Sequence, residues 1–146
     1  MLNTQTVANT FIILGYNDHI PITPMKLQKL VYLLYKRYLQ LTDCKLFEEP
    51  FSKWQYGPVI PSIYYEFKGF KANPITKFAR NANNCVEMID LSKPSSIQNA
   101  VFYVWNKYKH FSASELSALT HRQGGAWSKA VTTLSDEDIK NEPEFC

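Results

Sequence analysis

Apolar residues recur with helical spacing in several segments of the chain, most clearly over residues 24–41. Intervals of three and four residues place side chains on one side of an α-helix. Thr23 and Pro24 come just before, and Thr as the cap with Pro at the first helical position is typical of a helix start. A long amphipathic helix is therefore predicted. Its apolar stripe consists of Leu27, Leu30, Val31, Leu34, Tyr38 and Leu41.

The other side of this predicted helix is basic. It carries Lys26, Lys29, Lys36 and Arg37. We expect this side to face outwards, where it is a solvated surface, a contact for an acidic protein or a contact for nucleic acid phosphates. No helix-turn-helix pair or RNA-stacking motif accompanies the charge, which disfavours nucleic acid.

Further helices are indicated by periodicity together with capping and breaking residues. Ser112 and Glu115 have the spacing of a capping box, and Ser135 with Asp138 repeats that signature. The remaining helices are predicted over 4–14 with Gly15 at the end, from Pro61 through Phe67, from Pro94 through Tyr108, and over 126–134.

The β structure is expected to be small. Residues 45–56 are rich in aromatic side chains, with Trp54 and Tyr56 two positions apart, and predict a β-hairpin. Gly57 and Pro58 then form a turn into the next helix, and the alternation over Cys85–Leu91 predicts one more short strand. The expected fold is mainly α, a compact helical domain with a small β-hairpin near residues 45–56, and residues 1–146 form a single domain.

Composition fits this picture. With 146 residues, of which 45% are hydrophobic and 20% charged, the chain is long enough to bury a core as one domain. The net charge is +3, but five of the 13 acidic residues and only one of the 16 basic residues follow position 134. The first 134 residues therefore carry +7, which favours an acidic partner.

Several function classes lack the residues they need. Cys44, Cys85 and Cys146 form no CxxC pair and indicate reduced thiols in a cytoplasmic protein. No apolar run approaches the ~20 residues of a membrane span. The three histidines, His19, His110 and His121, lack metal-ligand spacing, and no phosphate-binding glycine loop is present. We therefore expect no metal, no cofactor, no catalytic residues and no enzyme activity.

Two sequence blocks carry a family resemblance. They are Thr23–Tyr32, TPMKLQKLVY, and Trp54–Tyr64, WQYGPVIPSIY. Shorter blocks follow at 116–121 and 126–130. In this order they resemble the SocA-like Panacea antitoxin family over about residues 5–140. The second block is the more specific, because a Trp, a turn Gly and two spaced Pro together define one loop geometry.

The resemblance implies a mainly helical antitoxin that neutralises a toxin by direct protein binding. The toxin is expected to be encoded next to it, and one mode in the family delivers the toxin to a protease, with the antitoxin as adaptor. Aromatic rings would anchor the partner, and lysines would steer it. The candidate contact residues are Lys26, Lys29, Tyr32, Lys36, Trp54, Tyr56 and Tyr65.

Two alternatives stay open. One is a phage, prophage or other mobile-element protein that uses the same scaffold against a different host factor. The other is a nucleic-acid-binding regulator, for which binding to random duplex DNA would fall steeply with salt.

Overall fold

A computed structural model describes residues 1–143, and the predicted thiol Cys146 lies outside them. Within this range the chain is mainly helical with one two-stranded antiparallel sheet, so the predicted fold class is confirmed. The elements are α1 (Thr4–Asn17), α2 (Pro24–Thr42), β1 (Ser52–Trp54), β2 (Gly57–Val59), α3 (Pro61–Phe67), a 3-10 turn (Lys68–Phe70), α4 (Ser96–Tyr108), α5 (Ala113–Thr120), α6 (Ala126–Lys129) and α7 (Asp136–Lys140).

Helix α2 is the centre of the fold. The Thr23 hydroxyl accepts a hydrogen bond from the Lys26 amide, and Asp43 ends the helix in a left-handed conformation with φ of 58°. The predicted stripe is buried over its first four positions, since Leu27, Leu30, Val31 and Leu34 are fully inaccessible, but Leu41 at its end is 44% exposed. Helices α1, α3, α4, α5 and α7 and strand β2 all pack against α2. Each buried Leu contributes roughly 1.5–3 kcal/mol relative to exposure.

The predicted hairpin exists but lies further along the chain, over residues 52–59 instead of 45–56. Ser52 pairs with Val59 and Trp54 with Gly57. Pro58 belongs to strand β2 and not to a turn, which a two-stranded sheet allows because Pro needs no ladder partner at an edge. The tight reversal falls on Gln55 and Tyr56, and Gly57, the first residue of β2, has a φ of 123° that a residue with a side chain rarely adopts.

Helix starts follow the capping signals closely. Ser112 and Glu115 form the predicted capping box, and Ser135 accepts a hydrogen bond from the Asp138 amide at the start of α7. Helix α4 starts at Ser96 with Ser95 as its cap, two residues after the predicted Pro94. These short polar side chains satisfy amides that a helix leaves unpaired.

Three expectations about local structure are wrong. Helix α1 does not end at Gly15 but continues to Asn17, and Gly15 instead makes room for a neighbour, since a Cβ there would lie 2.5 Å from Ile22 Cγ1. Residues 85–91 form no strand, because their backbone bonds to α1 side chains: Asn9 Nδ2 donates to the Glu87 carbonyl at 3.1 Å. The helix predicted over 126–134 stops at Lys129.

No helix within residues 1–143 is both long and apolar enough to cross a membrane.

Candidate protein-binding groove

Three of the predicted contact residues lie together on the surface. The ring of Trp54 packs against Tyr64 with centroids 4.8 Å apart, and Tyr64 packs against Tyr65 at 5.4 Å. Tyr56 is 57% exposed and Tyr65 is 63% exposed. Trp54, Tyr56 and Tyr64 line a cavity of about 410 Å³, which we call the aromatic groove, and Tyr65 lies beside it through its contact with Tyr64. Its lining residues are Pro24, Met25, Gln28, Lys29, Trp54, Gln55, Tyr56, Val59, Ile63, Tyr64 and Lys71.

The hairpin that carries these rings is fixed to two helices. Trp127 Nε1 donates to the Trp54 carbonyl at 2.7 Å, and Ser117 Oγ donates to the Tyr56 carbonyl at 2.5 Å. The backbone carbonyls on both sides of the turn are therefore tied to α6 and α5. A ring held on a fixed backbone loses little conformational entropy when it contacts a partner.

The wall formed by α3 is fixed by one glutamine. Gln28 Nε2 donates to the Ile60 carbonyl at 3.0 Å, while its Oε1 accepts from the Ile60 amide at 2.9 Å. This buried two-point contact joins α2 to the residue that caps α3. The groove is therefore formed by three elements whose backbones are linked.

The prediction that the basic side of α2 is exposed is wrong. Lys26, Lys29 and Lys36 are at most 6% exposed, and the ring of Tyr32 is fully buried. The reason is that packing covers α2 on nearly every side, and each ammonium group finds an oxygen inside the fold. Helix α2 therefore presents no lysine face to phosphates or to a protein surface, and reversing these charges would place acids in the interior.

Lys36 is balanced by a carboxylate near the end of the described chain. Its Nζ lies 3.2 Å from Glu142 Oε2, and both side chains are buried. Glu142 also accepts from the Tyr32 hydroxyl at 3.1 Å and from the Ala126 amide at 3.0 Å. Burial, together with the charge of Glu142, raises the pKa of Tyr32 well above its ordinary value. Sequence reasoning missed Glu142, because no local pattern marks its partners.

Lys26 bridges two helices. Its Nζ donates to the Lys109 carbonyl, at the C-terminal end of α4, at 2.5 Å. Burial lowers the pKa of Lys26, while the attraction of Glu115 opposes that shift. Lys26 is therefore a helix-packing contact and not part of the groove.

Lys29 differs from both, because it lies in the wall of the aromatic groove. Its Nζ donates to the Pro58 carbonyl at 3.0 Å, and within residues 1–143 it has no ion-pair partner. Burial lowers the pKa of this ammonium group to about 7. A cation in an apolar cavity with no opposite charge attracts anions strongly.

The rest of the groove is mostly apolar and aromatic, with two glutamines and a second lysine in its lining. Lys71 lines it, and the ammonium group of Lys68 lies 5.0 Å from the centroid of the Tyr65 ring. No acidic side chain of the described residues lines the cavity. Its chemistry therefore complements an apolar segment that carries negative charge.

One further cavity contains none of the predicted contact residues. This cavity of about 590 Å³ lies between the end of α1 and residues 74–78, lined mainly by apolar side chains such as Ile12 and Phe78. No group of three His, Cys, Asp or Glu side chains in the described chain could hold a metal ion. The expectation that the protein uses no metal stays a prediction.

Comparison with known proteins gives the class first: the chain is a helical antitoxin domain. Residues 27–128, more than half of the chain, match the family model of the antitoxin SocA-like Panacea domain, and the chain belongs to this family. A curated relative is antitoxin SocA of Caulobacter vibrioides strain NA1000 / CB15N, 27% identical over 132 residues that span 86% of this chain and 69% of the relative. No solved structure matches.

Proposed function

We propose that this chain neutralises a toxin by binding it directly through the aromatic groove, without catalysis. The observation that carries the proposal is a group of exposed large side chains, three of which line one cavity while the fourth, Tyr65, packs against its Tyr64. Tyr64 and Met25 add to Tyr56 and Tyr65, at 40% and 37% exposed. Exposed apolar patches of this kind mark interaction sites, and Trp and Tyr are enriched among the residues that dominate binding energy.

The charge around the groove supports an acidic partner. Lys71 lines the groove, Lys68 lies over the neighbouring Tyr65 ring, and the first 134 residues carry a net charge of +7. Such a field speeds the approach of a negatively charged surface and affects the association rate more than the affinity. The partner we propose is therefore a toxin with an acidic, partly apolar contact surface, met in the cytoplasm and encoded beside this chain.

Delivery of the bound toxin to a protease is a further step that the groove does not require. A toxin held in the groove is already occluded, and an adaptor role would need a second surface. The phage or mobile-element origin likewise stays a prediction.

Co-expression with the product of the neighbouring gene tests the proposal. The variant Tyr56→Ala/Tyr65→Ala should fail to rescue growth and should bind the purified toxin at least ~30-fold more weakly, the size expected for residues that dominate an interface. Both side chains are more than half exposed, so the thermal midpoint should change little.

Tyr16→Ala is the matched control. Tyr16 is 77% exposed but lines the cavity at the end of α1 and not the aromatic groove. It should rescue growth like the parent. Full rescue by the groove variant, or equal loss in both variants, would reject the groove as the toxin-binding site.

A further inference from the structure

Lys29 has more hydrogen-bonding capacity than its surroundings use. An ammonium group has three N–H donors, and the Pro58 carbonyl takes one of them. The side chain is 1% exposed and lines the groove. Buried charges in folded proteins are normally paired, because an unpaired ion loses its hydration without compensation.

The neighbouring titratable groups offer no counter-charge. In the groove these are Tyr56, Tyr64 and Lys71. On α5, Glu115 caps its own helix and attracts Lys26, and His121 bonds to the Ser117 carbonyl. The described part of the chain therefore leaves the Lys29 position electrostatically incomplete.

We propose that Lys29 Nζ binds a carboxylate on an acidic side chain of the partner toxin, so that the aromatic groove recognises an Asp or Glu with an apolar neighbour. This inference rests on the proposed function. The apolar neighbour is required because Val59, Ile63 and the Trp54 and Tyr64 rings make up much of the remaining lining. Because those side chains exclude water, the ion pair would be stronger than at an exposed site.

Binding of this kind is linked to protons. A carboxylate favours the charged lysine, so binding above pH 7 requires Lys29 to take up a proton. With a pKa of about 7 in the unbound protein, the charged fraction falls from ~0.9 at pH 6 to ~0.03 at pH 8.5. Affinity should therefore fall by about 30-fold across this range.

Random 12-residue peptides displayed on phage provide a probe that does not depend on the toxin. The library is selected at pH 6 on the purified protein after depletion on Lys29→Met, which keeps the length and apolar stem of the side chain. Enriched peptides are then synthesised with amidated C-termini, so that side chains supply their only carboxylates. Binding is measured by fluorescence anisotropy.

We expect the enriched peptides to share one Asp or Glu beside an apolar residue. Changing that residue to Asn or Gln should weaken binding at least tenfold at pH 6. This measurement uses the parent protein and does not depend on the folding of a variant. Lys29→Met should bind all the peptides weakly and lose the pH dependence, although it keeps His19, His110 and His121.

Three results would overturn the inference: no enrichment, enriched peptides without an acidic residue, or equal binding to Lys29→Met. Each leaves growth rescue untouched, so the proposed function would stand. Conversely, acidic peptides bound through Lys29, together with full rescue by Tyr56→Ala/Tyr65→Ala, would support the groove chemistry while rejecting the toxin-binding role.

Discussion

Lys29 and Lys36 lie two turns apart on the same side of α2, and both are buried. Lys36 faces the Glu142 carboxylate at 3.2 Å, whereas within residues 1–143 Lys29 bonds to the Pro58 carbonyl at 3.0 Å and to no carboxylate. The two lysines occupy equivalent positions on one helix, but Lys36 forms an ion pair, whereas Lys29 is a cation without a counter-charge in the described residues. The first secures the fold, and the second is the lysine that we propose as the site for a partner carboxylate.

Around Lys36, polar contacts also hold the last described residues against the fold. The Pro143 carbonyl accepts from Lys36 Nζ at 3.2 Å and from an Arg122 guanidinium nitrogen at 2.6 Å. Gln40 Nε2 donates to the Lys140 carbonyl at 3.1 Å. Residues 140–143 are therefore fastened along α2 by polar contacts, with Glu142 at their centre.

The largest expected effect is on this completed pair. Glu142→Gln removes the counter-charge of Lys36 and should lower the free energy of unfolding by about 3–5 kcal/mol, measured by urea denaturation. The double variant Glu142→Leu/Lys36→Met removes both charges and should recover part of that loss. If Glu142→Gln were as stable as the parent, the ion pair would not secure the fold, and the contrast with Lys29 would disappear.

Gly57 is the next test, because it lies against Lys29, with the Thr120 hydroxyl beside it. A Cβ there would lie 3.0 Å from Lys29 Nζ, and the φ of 123° strains any other residue. Gly57→Ala should destabilise the protein by about 2–3 kcal/mol. The control is Gly69→Ala, where a Cβ meets nothing within 4 Å and the change should stay within about 0.5 kcal/mol. Equal thermal midpoints for the two variants would contradict a close approach at Gly57.

The pH dependence of stability should separate the two lysines. Because the folded protein lowers the pKa of Lys29 to about 7, the unfolded chain binds more protons between pH 7 and its ordinary value near 10.4. The contribution of Lys29 to the free energy of unfolding therefore rises with pH, by on the order of 2 kcal/mol between pH 7.5 and 9.5.

Urea denaturation of the parent and Lys29→Met at both pH values measures that difference. Lys29→Met should lose the pH-dependent contribution of Lys29 and keep those of the other titratable groups. Above pH 10 the raised pKa values of Tyr32 and Tyr35 act in the opposite direction, because only the unfolded tyrosines ionise there. Identical pH slopes for the two proteins would show that the folded protein does not lower the pKa of Lys29.

The smallest expected effect concerns an exposed lysine. Lys140 Nζ lies 2.6 Å from Asp43 Oδ1, with both side chains well exposed to solvent. Lys140→Ala should change the free energy of unfolding by about 0.5 kcal/mol or less, because water and salt screen such pairs. A loss as large as that of Glu142→Gln would mean that burial does not explain the contrast.

Much of the local structure could be predicted from the sequence. The starts of α2, α5 and α7 follow from Thr23, Ser112 and Ser135, because a cap acts on amides within its own first turn. The strand predicted at Cys85–Leu91 fails for a complementary reason. Its backbone is held by side chains of α1, which lie more than 70 residues earlier, so local alternation carries no information about them.

The candidate site was partly predictable. Trp54, Tyr56 and Tyr65 lie close together in sequence, and a hairpin followed by a short helix keeps them close in space. Met25 was missed, because it is near these rings only after α2 packs against the hairpin. Lys29 was included for the wrong reason, as part of an exposed basic face.

The sequence by itself determined the helical fold class, the apolar stripe of α2, the aromatic hairpin and the family, because each depends on neighbouring residues or a short block. The tertiary structure alone decided which of three buried lysines has a carboxylate opposite it. Glu142 reaches Lys36 across more than a hundred residues, while nothing comparable in residues 1–143 reaches Lys29. Periodicity places side chains on a helix face, but the charge that faces them depends on how distant segments pack.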